Sequence, residues 1–280
     1  MDIEQTHELL PLTSDYVFRR IFGEKNKEAL ADFLSAVLDM PLEDFSDLEI
    51  DDPHIHRDRK DGKSAELDLR ARKKSGEIFN IEIQLDPVNA FKERAAYYNS
   101  RIYAGQLDIG KGYGRLNRTI SVIITNFVLI EENEDCFNRF RWYNISNGTQ
   151  LTDAQEINVL ELKKLPEKSD GTRLWRWLKL LALRREDEME DVAKDNTEMK
   201  KVVVTLREMS QDEAERRFAE AEMKQKLDEL GRLQYAEEAG MKKGLAEAKY
   251  ESARRMLEKG YSISEIQDIS GLGAEEINRL

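Results

Sequence analysis

Residues 64–85 constrain the fold more than any other stretch, because they hold two short runs of strict alternation. In the first, Ala65, Leu67, Leu69 and Ala71 take every second position; in the second, Phe79, Ile81, Ile83 and Leu85 do. Period two marks a strand with one buried face. Ser75 and Gly76, in the short link between the runs, predict a hairpin turn. With the turn centred near Ser75, paired residues sum to about 150. Leu67 then faces Ile83 and Leu69 faces Ile81, so the apolar faces agree. On the other face Asp68 lies opposite Glu82, and Glu66 lies opposite Gln84. Carboxylates directly across a ladder repel. A divalent cation between Asp68 and Glu82 would turn that repulsion into a binding site, since carboxylate oxygens beside phosphate are what Mg²⁺ takes. The plain alternative is a sheet with one wet, charged face.

The chain has 280 residues, enough for a sizeable core and an appendage. Hydrophobic residues make up 40% and charged residues 36%, which predicts a soluble, highly charged protein. No apolar run approaches the ~20 residues of a membrane span, and no secretory signal is read before the first predicted helix. The single cysteine, Cys136, excludes an internal disulfide and a cysteine zinc cage, so a cytoplasmic location is expected. A net charge of −12 argues against a surface that coats nucleic acid throughout, but leaves room for a local basic groove.

Ser14 and Asp15 predict the start of a short amphipathic helix that Gly23 stops. A second helix is expected over residues 26–40, with Leu30, Phe33, Leu34, Val37 and Leu38 inward and Pro41 past its end. Residues 48–55 read as a weaker strand. His54 and His56 share a face there, but no third metal ligand stands near them in sequence. Pro87 predicts the first turn of a helix running to about Gly110. Phe91, Ala95, Tyr98 and Ile102 form its apolar stripe, and Arg94, Tyr97 and Arg101 a neighbouring one. Arginines so close behind the hairpin suit phosphate contact, or simply a solvated face. The glycines at 110 and 112 lack phosphate-loop spacing. Residues 119–128 predict a central strand buried on both faces, and residues 137–145 and 157–163 two more strands. This order predicts an α/β mixed sheet flanked by helices. From residue 172 onward helices dominate, with Leu174, Trp175, Leu178, Leu181 and Ala182 as one stripe and Trp177 beside it. Residues 210–250 read as one long helix or a coiled coil. The tail has Ser262 or Ser264 as a helix cap and a break at Gly271, like a helix-turn-helix. Its last helix offers acidic groups where base-reading donors would be needed.

An aspartate near a strand end, followed across a hairpin by Glu82, Ile83 and Gln84, resembles the PD-(D/E)XK nuclease core. Lys63, Gln106, the run from Gly110 to Tyr113 and the phrase from Val159 to Lys164 extend the likeness to the Rpn family of recombination-promoting nucleases and transposases. The resemblance implies a restriction-endonuclease-like mixed sheet with a helical C-terminal extension. It divides the chain into a nuclease-like core over 9–170, a helical extension over 171–250 and a small tail over 251–280. It implies that Asp68 and Glu82 bind Mg²⁺ or Mn²⁺, with Glu66 as a group for a second metal or an outer contact. Gln84 stands where the wider superfamily has lysine; glutamine can hydrogen-bond but cannot offset charge. The Rpn-like subgroup that the chain resembles tolerates glutamine there. Leu67, not proline, precedes Asp68. Lys63, Arg94 and Arg101 are the expected DNA contacts.

The resulting expectation is a metal-dependent DNA endonuclease, not tied to a membrane, that forms homo-oligomers through its helical C-terminal region. The competing expectations are a catalytically inactive nuclease-fold protein that binds DNA, and an oligomeric interaction protein.

Overall fold

The computed structural model describes residues 8–51, 54–55, 65–66, 69–107, 110 and 112–280. The described elements run α1 (Asp15–Phe18), a π-helical stretch (Arg19–Lys25), α2 (Lys27–Leu38), β1 (Glu49–Asp51), β2 (His54–Ile55), β3 (Ala65–Glu66), β4 (Leu69–Arg72), β5 (Ile78–Gln84), α3 (Phe91–Ala104), β6 (Thr119–Thr125), β7 (Phe137–Tyr143), β8 (Gln150–Glu161), α4 (Arg173–Ala182), α5 (Glu186–Ala193), α6 (Thr197–Gln211), α7 (Glu213–Glu258), α8 (Ile263–Ser270) and α9 (Ala274–Ile277). They divide into two compact units, Met1–Glu220 and Ala221–Leu280.

In the first unit the hairpin alternation does what its period requires. Leu69 pairs with Ile81 and Ala71 with Phe79, the register expected from the turn. Gly76 takes a φ of +99°, and Cβ there would meet Asn117 at 2.5 Å, so both conformation and space call for glycine. The mixed sheet has the order β1-β4-β5-β6-β8-β7. The pairs β5–β6 and β6–β8 are parallel, and the remaining pairs are antiparallel. β6, rich in isoleucine, is buried along its whole length at the sheet centre, as an apolar run without alternation demands.

The two faces are covered differently. Phe79, Ile81, Ile83, Ile120, Val122, Ile124 and Leu160 join the main core with residues from α1, α2, α4, α5 and α6. Helix α3 covers the opposite face: Phe91 and Ala95 cluster with Ile123, and Ile102 with Ile78. The aromatic centre of the main core is Trp177, whose ring centroid lies 5.8 Å from those of both Phe22 and Phe33. Its indole N–H donates to Asp32 Oδ2 at 2.8 Å, and Arg173 and Asn196 donate to the same carboxylate.

Two buried carboxylates anchor β8, Glu161 at its end and Glu156 at its middle. Glu161 accepts from the backbone N–H groups of Leu129 and Ile130 and from Lys164 Nζ at 3.0 Å. Glu156 is ringed by Arg118, Arg139 and Arg141. Burial pushes the Glu156 carboxyl up, but the Asn158 hydrogen bond and the Arg141 and Arg118 charges outweigh it and hold its pKa below the usual value.

Several expectations need correction. Gly23 does not end the first helix; the π-helical stretch carries through it to Lys25. The reason is packing, since a Cβ at Gly23 would come 2.9 Å from Leu69 Cδ1. The strand expected over 48–55 is two short strands: β1 joins the main sheet, and β2 pairs with β3 in a separate two-stranded sheet. Glu66 accordingly pairs with His54, not with Gln84. Helix α3 starts at Phe91, not near Pro87, after Ala90 turns the chain with a left-handed φ of 55°. Its inward stripe holds Asn99 in place of Tyr98. In α4 the fully buried indole is Trp177, one face over from the expected stripe.

In the second unit, Ala253, Ile266, Leu272 and Ile277 form a small core of their own. Ser262 caps α8 through a capping box with Glu265, and Gly271 ends it in the left-handed region at φ 70°. No described helix is long and apolar enough to cross a membrane.

Candidate active site

The polar positions of β5 are Asn80, Glu82 and Gln84, which share the face covered by α3. That helix packs with Phe91 and Ala95 inward, which brings Arg94 over the end of β5. One nitrogen of Arg94, Nη2, donates to Glu82 Oε1 at 2.9 Å and to Gln84 Oε1 at 2.8 Å. Gln84 in turn donates from Nε2 to the Asp86 carbonyl at 3.0 Å, which fixes its amide with the oxygen toward Arg94. The guanidinium lies over the Phe91 ring, 4.7 Å from its centroid. The Glu82 side chain is 13% exposed and Gln84 is buried, while Arg94 reaches the surface.

Of the residues expected to act, Glu82, Gln84 and Arg94 thus meet at one point. Arg101 lies further along α3, half-buried. Asp68 and Lys63 lie outside the described residues, as does His56. Sequence reasoning passed over Asn80 and Arg70. These two pair across β4 and β5, and Arg70 lies 3.3 Å from Asp51. Asn80 is buried, and its Oδ1 accepts no hydrogen bond among the described residues. The signal for Asn80 was its place in the alternation, two residues before Glu82 on the same face.

The donor set suits a hard divalent cation. Glu82 Oε1 and Gln84 Oε1 are oxygens that already converge on one guanidinium nitrogen, and Asn80 Oδ1 is a further oxygen on that face without a donor among the described residues. Among the described residues no group of three or more His, Cys, Asp or Glu side chains is placed to hold a metal. A metal at Glu82 therefore calls on a carboxylate beyond them, the role expected of Asp68.

The family model for the PD-(D/E)XK nuclease family transposases matches residues 12–236, which include the whole mixed sheet, α3 and the helices of the main core. No curated protein and no solved structure matches the chain. The mixed α/β sheet and the extent of the match agree with the resemblance read from the sequence: the chain belongs to the PD-(D/E)XK nuclease family transposases.

Proposed function

We propose that the protein is a metal-dependent DNA endonuclease of the recombination-promoting type. The observation that carries this reading is the convergence of the Glu82 and Gln84 oxygens on one guanidinium nitrogen, on a strand of a nuclease-family sheet. Glu82 and Asp68 would hold Mg²⁺ or Mn²⁺, which supplies polarisation of the scissile phosphate and a bound water of lowered pKa. Gln84, its amide fixed by Asp86, presents an acceptor that orients the attacking water. Arg94, Arg101 and Lys63 supply the local positive charge that a phosphate needs on a chain of net charge −12. Self-association through the helical C-terminal region is supported by exposed Leu227, Leu233, Met241 and Leu245 on α7. A reducing, cytoplasmic setting accords with the lone Cys136.

Cleavage of a labelled DNA duplex, measured beside binding of the same duplex, tests the proposal. Wild type should cut with Mg²⁺ and stop with EDTA, while Asp68→Asn should bind with a similar salt dependence and not cut. Cutting by Asp68→Asn at the wild-type rate would overturn the site. Binding without cutting by both proteins would favour an inactive nuclease fold.

A further inference from the structure

Arg94 was expected to touch DNA phosphate, but its position says more. A single nitrogen, Nη2, faces Glu82 Oε1 at 2.9 Å and Gln84 Oε1 at 2.8 Å. A divalent cation shared by those two oxygens would sit between them, since Mg²⁺ takes such oxygens at about 2.1 Å. The guanidinium and the cation cannot both be there. The hold of Arg94 on the pair is also incomplete. A guanidinium is built to donate from every nitrogen, yet Arg94 Nε is buried without a hydrogen-bond partner among the described residues. The side chain is one-third exposed, which leaves it a way out toward solvent or an arriving anion.

We propose that Arg94 is a resident counter-ion of the Glu82–Gln84 pair, and that it must withdraw before these two oxygens can share a divalent cation. A DNA phosphate is the anion that draws it away, because arginine pairs with phosphate through charge-assisted, often bidentate, hydrogen bonds. Arg94 is thus a positioning residue that couples the two ligands. Phosphate binding raises metal affinity, and by linkage metal binding raises affinity for phosphate. This rests on the metal-binding reading above.

Mn²⁺ binding, read from the paramagnetic resonance signal of the free ion, tests this without any turnover. Four proteins are compared: wild type, Arg94→Gln, Arg94→Lys and Glu82→Ala. Arg94→Gln should bind Mn²⁺ about tenfold more tightly than wild type, the scale of a lost charge-assisted hydrogen bond. Arg94→Lys, which keeps a cation at the pair, should stay near wild type. A non-cleavable phosphorothioate duplex should tighten Mn²⁺ binding to wild type but not to Arg94→Gln. Equal or weaker binding by Arg94→Gln, with binding lost in Glu82→Ala, overturns the role of Arg94 and leaves the metal site standing. No Mn²⁺ binding by wild type, or undiminished binding by Glu82→Ala, overturns the metal site and this proposal with it.

Discussion

Removing the Glu161 carboxylate should be among the most damaging single changes to the first unit. The side chain is fully buried, and the Lys164 side chain that pairs with it is 6% exposed. Glu161 also receives the N–H groups of Leu129 and Ile130 and the amide of Asn138. In Glu161→Ala the Lys164 ammonium keeps only its carbonyl partners, Ile130 and Asn133, and these backbone N–H groups lose their acceptor. Breaking a buried ion pair by deleting one partner costs about 3–5 kcal/mol. At about 2–4 °C per kcal/mol for a domain of this size, the melting temperature should fall by roughly 12 °C. Differential scanning calorimetry or urea unfolding reads this directly. Glu161→Gln keeps one acceptor and should lose about half as much. The double change Glu161→Leu with Lys164→Met should recover only the part of the loss due to the stranded charge, because the Leu129 and Ile130 N–H groups still lack their acceptor. A loss below about 1 kcal/mol in Glu161→Ala would refute the reasoning, since it would mean that the network is worth no more than a surface pair.

Three further outcomes follow from the same kind of accounting. Burial, then the hydrogen bond to Glu215 and that group's charge, push the Tyr16 hydroxyl from 10.0 up to about 12. The raised value means that the folded state holds the proton longer, so this contribution to stability is complete below pH 10 and is lost as pH rises toward about 12; urea midpoints between those limits should fall less steeply in Tyr16→Phe than in wild type. Asp32→Ala orphans the buried Trp177 indole N–H and should cost about 3 kcal/mol by chemical denaturation. Ala90→Gly should stabilise the protein by about 0.5–1 kcal/mol in the same assay, because φ at Ala90 is 55° and only glycine takes it without a Cβ penalty.

The hairpin was legible because its turn and its alternation are local signals that agree. Gly76 set the turn, period two set the faces, and together they gave the observed pairing of Leu69 with Ile81. The central strand was legible from its unbroken apolar run. What escaped were features decided by contacts far away in sequence. Gly23 reads as a helix stop until Leu69 is seen against it. The left-handed Ala90, which delays α3 to Phe91, has no marker in composition. Strand β8 begins at Gln150, well before the expected residue 157, because its first residues are mostly exposed and carry no burial pattern. Trp175 and Trp177 are chemically alike, and only the packing of α4 on α2 decides that Trp177 reaches Asp32. At the site, Glu82 and Gln84 could be named from their spacing and Arg94 from its stripe. Their meeting at one nitrogen depends on how α3 crosses the sheet, which no single strand or helix pattern encodes.

Nicking of supercoiled plasmid by wild type, Asp68→Ala and Glu82→Ala, each with Mg²⁺ and with EDTA, tests the central claim most directly. Wild type should nick only with Mg²⁺, and each variant should lose at least about 100-fold, the loss expected when transition-state charge goes unmet. Equal nicking by all three proteins would contradict the assignment of the metal site to the hairpin.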